Sequence, residues 1–158
     1  GVFSASDLNR AEMLARSTEI GEDDEVLDLG CRHGETSVFV NSLYGAETLA
    51  LTRSDICRSV ASRNLGLNDV EECEAVSDDG PESISHNSFD VCLFRPGSDN
   101  PNILRNDLQE VQRVLRPSSR VAVCHRKERG VESVLESVFG GFSVDRREFD
   151  YQITSATN

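Results

Sequence analysis

Lysine is nearly absent from this chain: of sixteen basic residues only Lys127 is a lysine, against twenty-eight acids and a formal net charge of −12. Such a balance repels polyanions and argues against a broad nucleic-acid-binding surface. Acid excess with arginine kept and lysine lost fits a salt-rich cytoplasm, where screening shortens electrostatic reach to a few ångströms, so a halophilic source is expected. The five cysteines, Cys31, Cys57, Cys73, Cys92 and Cys124, form no CxxC pair, and their odd number in apolar surroundings reads as buried thiols rather than disulfides or zinc ligands. The three histidines lack metal-ligand spacing, so no metal is expected. No apolar run reaches membrane-spanning length and no charged-then-apolar leader opens the sequence, so a cytoplasmic protein without a membrane partner is expected. No internal repeat or low-complexity linker divides the 158 residues, which read as one domain over 1–158.

What is present is organised around the stretch from Glu25 to Ser37. Val26, Leu27 and Leu29 give a short apolar run of the kind that fills a parallel strand covered on both faces. Asp28 interrupts the run, and a carboxylate there is costly unless something uses it. Gly30 and Gly34 permit a tight turn and close approach of a ligand to backbone, and the next helix directs its N-terminal amides into the same crevice. Open α/β sheets bind ligands at that point. A dinucleotide fingerprint is not formed, since Gly-x-Gly-x-x-Gly is absent and the second strand does not end in an acid.

The remaining elements alternate. Helices are expected from about Ser6 to Ser17, Glu35 to Leu43, Ser54 to Leu65, Asp107 to Leu115 and Val131 to Phe139. In the third of these Ile56, Val60 and Ala61 should face inward. Strands are expected at Thr48–Leu51, Glu72–Val76, Phe89–Phe94 and Arg120–His125, with Phe142 to Ile153 forming one long or two short strands. Strands alternating with helices argue for a parallel sheet with helices on both faces and an antiparallel terminal hairpin.

The run Leu27-Asp28-Leu29-Gly30-Cys31-Arg32-His33-Gly34 resembles the first motif of class I S-adenosylmethionine-dependent methyltransferases, with Arg32 where the middle glycine usually stands. Ser88-Phe89-Asp90-Val91 and Arg113-Val114-Leu115-Arg116-Pro117 resemble the fourth strand and the turn before the fifth in that class. A narrower similarity, to the methyltransferase-small family of small-subunit ribosomal RNA guanine-N2 methyltransferases, is carried by Gly1-Val2-Phe3-Ser4, the run from Ala61 to Asn68, Val76-Ser77-Asp78 and the run from Leu135 to Gly140. The resemblance implies a Rossmann-like three-layer sandwich, a seven-stranded mostly parallel sheet in the order 3-2-1-4-5-7-6, S-adenosylmethionine as cofactor and an RNA guanine amine as acceptor.

By that resemblance Asp28 lies beneath the methionine end of the cofactor, with Gly30, Cys31 and Gly34 forming the turn around it. Thr52 and Arg53 stand where an acid would hold the ribose hydroxyls, and Ser77 and Asp78 where the adenine is contacted. Arg32 and Arg53 either close over the cofactor carboxylate or point to water. Arg95 and Pro96 stand at the substrate position, where the family has Asn-Pro-Pro and an aromatic; a guanidinium donates only, so the amine-accepting oxygen is lost. Ser118-Ser119 replaces the usual Gly-Gly. Neither His33 nor His125 has a carboxylate or nucleophile partner in the sequence, so no acid or base is assigned, and methyl transfer relies chiefly on alignment. Two readings stay open: a working methyltransferase, and a fold that has outlived its chemistry as a binding or assembly module.

Overall fold

The structure is a computed structural model and describes residues 5–71, 73–77, 81–98, 100–127 and 130–158. In chain order the elements are α1 (Ala5–Arg16), β1 (Glu25–Leu29), α2 (Glu35–Tyr44), β2 (Glu47–Thr52), α3 (Asp55–Leu67), β3 (Cys73–Ser77), β4 (Phe89–Phe94), α4 (Pro101–Val114), β5 (Leu115–Arg126), α5 (Val131–Phe139), β6 (Ser143–Glu148) and β7 (Tyr151–Thr157), with a 3-10 turn at Pro81–Ser83. The seven strands lie in the order β3-β2-β1-β4-β5-β7-β6, as the resemblance implied. The first five run parallel; β7 pairs antiparallel with both β5 and β6.

Strand alternation divides the core into two layers. Leu27 and Leu29 of β1, with Cys92 and Phe94 of β4 and Val121 and Val123 of β5, pack under Leu104, Leu108 and Val111 of α4 and Val131, Val134 and Leu135 of α5. Val26, Val91, Leu93, Ala122 and Cys124 point the other way, toward Met13, Leu14 and Ala15 of α1 and Val40 of α2. A smaller cluster of Cys31, Ala50 and Ala61 seats α3 beside α2 on that second face. Asp28 follows the same alternation, so its carboxylate projects beneath α2.

Three expectations need correction. Helix α4 begins at Pro101, six residues before Asp107; Asn100 caps it by accepting from the Asn102 N–H at 3.0 Å, and a proline in the first turn loses no bond there. β5 starts at Leu115, with a register shift between Phe89 and Val91 of its neighbour absorbing Arg116 to Ser119. Ser118 there adopts φ +68°, the backbone that the usual glycine would supply. Ile56 is exposed, at 78% of its maximum, because α3 turns Ala61, Asn64 and Leu65 inward and its first turn overhangs the crevice edge. No helix among the described residues is long and apolar enough to cross a membrane.

Candidate cofactor and acceptor site

The site lies at the carboxyl ends of β1, β2 and β4, where their backbones are tied to one another. Gly30 N–H and Cys31 N–H both donate to the Leu51 carbonyl, at 2.9 and 3.2 Å, and Arg95 N–H donates to Leu29 at 3.0 Å. Gly30 sits at φ +73°, and a Cβ on it would lie 2.3 Å from the Arg95 carbonyl oxygen, so only glycine fits between the β1 and β4 ends. Arg32 takes φ +52°, which explains how the middle glycine can be absent: arginine adopts the glycine's left-handed backbone and bears the strain. Gly34, at φ +87°, precedes α2 and leaves no side chain against Ala61 of α3.

Behind this turn lies a buried charge cluster. Asp28 and Glu35 are fully buried and Arg95 is 3% exposed. Ser37 Oγ donates to Asp28 Oδ2 at 2.7 Å, and the Arg95 guanidinium donates through Nη2 to Glu35 Oε2 at 2.9 Å and to the Cys31 carbonyl at 3.1 Å. His33 N–H also donates to Glu35 Oε2, at 3.1 Å. Burial pushes the Asp28 carboxyl up from 3.8 to about 6, with Arg95 and the Ser37 hydroxyl opposing it. The cluster closes the glycine turn against β4, and its remaining atoms Asp28 Oδ1, Glu35 Oε1, Arg95 Nε and Arg95 Nη1 have no protein partner.

In front of the turn opens a crevice of about 790 Å³. Its floor is Leu29, Gly30, Leu51 and Phe94, and its rim carries Arg32, Thr52, Arg53, Pro96, Gly97, Ser98 and Asp107. Thr52 Oγ1 accepts the Ser54 N–H at 3.2 Å, leaving its proton available to a ligand acceptor. Arg53 is not loose: its guanidinium grips Asp107 of α4 through Nη2 at 2.6 Å and Nη1 at 3.2 Å. Ser77 ends β3 opposite Thr52, whereas Asp78 lies outside the described residues.

A second, smaller cleft of about 40 Å³ adjoins the crevice and shares Arg32, Arg95, Pro96, Ser98 and Leu104 with it. Its far wall is Arg10 of α1, His125 and Arg126 of β5 and Tyr151 of β7. His125 is 3% exposed and its ring nitrogens meet the Arg126 carbonyl and Thr154 Oγ1, each at 2.8 Å, so it is held as a structural group. Burial also raises the Cys124 thiol that lines this cleft to about 11, which keeps it protonated. Among the described residues no group of three or more His, Cys, Asp or Glu is placed to hold a metal ion.

The structure thus brings Gly30, Arg32, Thr52, Arg53, Arg95 and Pro96 to one crevice and sets Asp28 and Glu35 behind it. Sequence reasoning missed Glu35, Asp107 and Tyr151. Asp107 carried a signal, an acid at the same helical face as Leu104, Leu108 and Val111; Glu35 reads as an ordinary first-turn acid and carried none.

Solved structures share this fold. The mitomycin 7-O-methyltransferase MmcR superposes with a TM-score of 0.79 at 17% identity, over 98% of this chain and 55% of that one. A predicted O-methyltransferase from Agrobacterium tumefaciens gives 0.77 at 16% identity, over 93% and 79%. The T. thermophilus 16S rRNA N2 methyltransferase RsmC, solved with AdoMet and guanosine, gives 0.78 at 22% identity, over 100% and 44%. The chain therefore spans about half the length of two of these proteins. The sequence model of the methyltransferase small domain matches residues 1–155, and the chain belongs to that family of S-adenosylmethionine-dependent methyltransferases.

Proposed function

We propose that the crevice binds S-adenosylmethionine and that the acceptor, an RNA guanine amine by family likeness, enters beside Arg95 to Ser98. The observation that carries the reading is the glycine cradle itself: a turn at which a Cβ on Gly30 would strike Arg95, facing a crevice of about 790 Å³, the size of a nucleoside-bearing ligand site. The bound group would supply an electrophilic methyl on a sulfonium, so the chain's task is alignment and exclusion of water. Gly30 and Cys31 would lie against the methionine end with Asp28 beneath, and Thr52 would donate to the ribose corner. Arg53, locked to Asp107, presents its outer edge to that corner. Ser77 and Asp78 stand at the adenine end by sequence position.

A second reading has its own observation. Arg95, which replaces the family's acceptor-gripping asparagine, turns inward to Glu35 and offers the acceptor no oxygen. The crevice would then bind ligand without transferring a methyl group, as an assembly or binding module. Incubation with labelled S-adenosylmethionine and guanosine-containing RNA separates the two. Label on guanine that is lost in Asp28→Ala supports transfer; cofactor binding with no label on RNA or small acceptors supports the module.

A further inference from the structure

The smaller cleft is cationic in a protein that is otherwise acidic. Arg10 from α1, Arg32 from the glycine turn and Arg126 from the end of β5 reach it from three separate elements, and Arg95 lies at its base. Among the described residues no acid lines it; Asp7 stands behind, 2.7 Å from Arg10 and 3.7 Å from Arg32. With a net charge of −12 and sixteen cations in all, such convergence is not what composition alone would place at one point. Asp7 offsets Arg10 and Arg32 from behind and Glu35 offsets Arg95 from within the core, so the acids stand outside the cleft while the arginines line it, and an entering anion meets a wall of donors.

The arginines are also held in place. The Arg10 guanidinium lies 4.5 Å from the centre of the Tyr151 ring and that of Arg126 lies 5.8 Å from it, while Arg126 Nε donates to the Tyr151 hydroxyl at 3.4 Å. Stacking on a ring fixes the plane of the donor fork, so less freedom is lost when an oxyanion is gripped. At about 40 Å³ the cleft suits a small head group rather than a base, and it opens into the crevice through Arg95, Pro96 and Ser98. We infer that it binds an anionic oxygen group, phosphate or carboxylate, carried by the molecule that enters as acceptor. This rests on the methyltransferase reading for the word acceptor, but the anion site itself does not depend on it.

The test uses the whole chain, with and without S-adenosylhomocysteine, titrated by calorimetry and by NMR with two matched pairs: guanosine 5′-monophosphate against guanosine, and benzoate against benzamide. One pair is expected to show an anion preference of about tenfold or more, as charge-assisted donors would give. The pair that shows it identifies the source as phosphate or carboxylate. The double variant Arg10→Gln, Arg126→Gln should lose the preference while S-adenosylhomocysteine affinity is unchanged, and Arg126→Lys should keep part of it. Should the double variant fail to fold, Arg126→Gln alone, at an exposed position, carries the same comparison. No preference in either pair, or a preference that survives these variants, overturns the inference. An anion preference without S-adenosylhomocysteine binding would leave the cleft standing and reject the cofactor reading instead.

Discussion

Removing Arg95 should destabilise the fold far more than a substitution in a ligand crevice ordinarily does. The Arg95–Glu35 pair is 2.9 Å long with the two side chains 3% and 0% exposed, so Arg95→Met leaves a carboxylate buried with only the His33 N–H to hold it. Breaking one side of such a pair costs about 3–5 kcal/mol. Against a typical stability of about 5–15 kcal/mol that is about a fifth of the total or more. Glu35→Gln should cost less, since the amide oxygen still accepts and Asp28 still faces the guanidinium. The double variant should recover part of the loss, because both charges leave the interior together. Equilibrium urea unfolding at pH 7.5 reads this directly: at a slope of about 2 kcal/mol per molar, Arg95→Met should lower the midpoint by about 2 M with the slope unchanged. A loss below about 1 kcal/mol for Arg95→Met, or strictly additive single variants, would refute the claim that this ion pair closes the glycine turn.

Three further outcomes follow from other residues. Because the Asp28 carboxyl is raised from 3.8 to about 6, the folded chain holds a proton there that the unfolded chain has released, so its contribution to stability falls as pH rises from about 4 to 6. That rise is worth about 3 kcal/mol, and Asp28→Asn should flatten the slope and stabilise the fold at pH 7, measured by urea unfolding across that range. Ser118→Gly, at an exposed residue with φ +68°, should raise stability by about 0.5–1 kcal/mol, the relief of a left-handed side chain less the added freedom of glycine when unfolded. The halophilic reading of the −12 charge predicts a melting temperature that climbs steeply with molar potassium chloride, and a flat response would remove it.

How much was readable in advance follows the range of the interactions involved. Val26, Leu27 and Leu29, Phe89 to Phe94 and Val121 to Cys124 mark central strands by composition within a few residues, so the parallel part of the sheet was legible. Gly30 and Gly34 marked the turn for the same local reason, and both take positive φ. The start of α4 is carried by the cap at Asn100 and the proline after it, local signals that lie seven and six residues ahead of the expected start at Asp107. Ile56 was misplaced because a hydrophobic residue in a helix's first turn faces the core only if that turn overlies the sheet, which the helix pattern does not report. The direction of Arg95 was out of reach: its partner is sixty residues earlier, and without it the guanidinium reads as a replacement for an acceptor ligand rather than as a brace for the glycine turn. Arg53 and Asp107 pair over a comparable separation, fifty-four residues, and were likewise invisible as a pair.

The central claim is that the crevice in front of Gly30 receives S-adenosylmethionine, and calorimetric titration of the folded chain with S-adenosylhomocysteine tests it most directly. The account predicts saturable one-to-one binding that is lost in Asp28→Ala while circular dichroism shows the variant still folded. Absence of heat at millimolar ligand, from a chain shown to be folded, would contradict it.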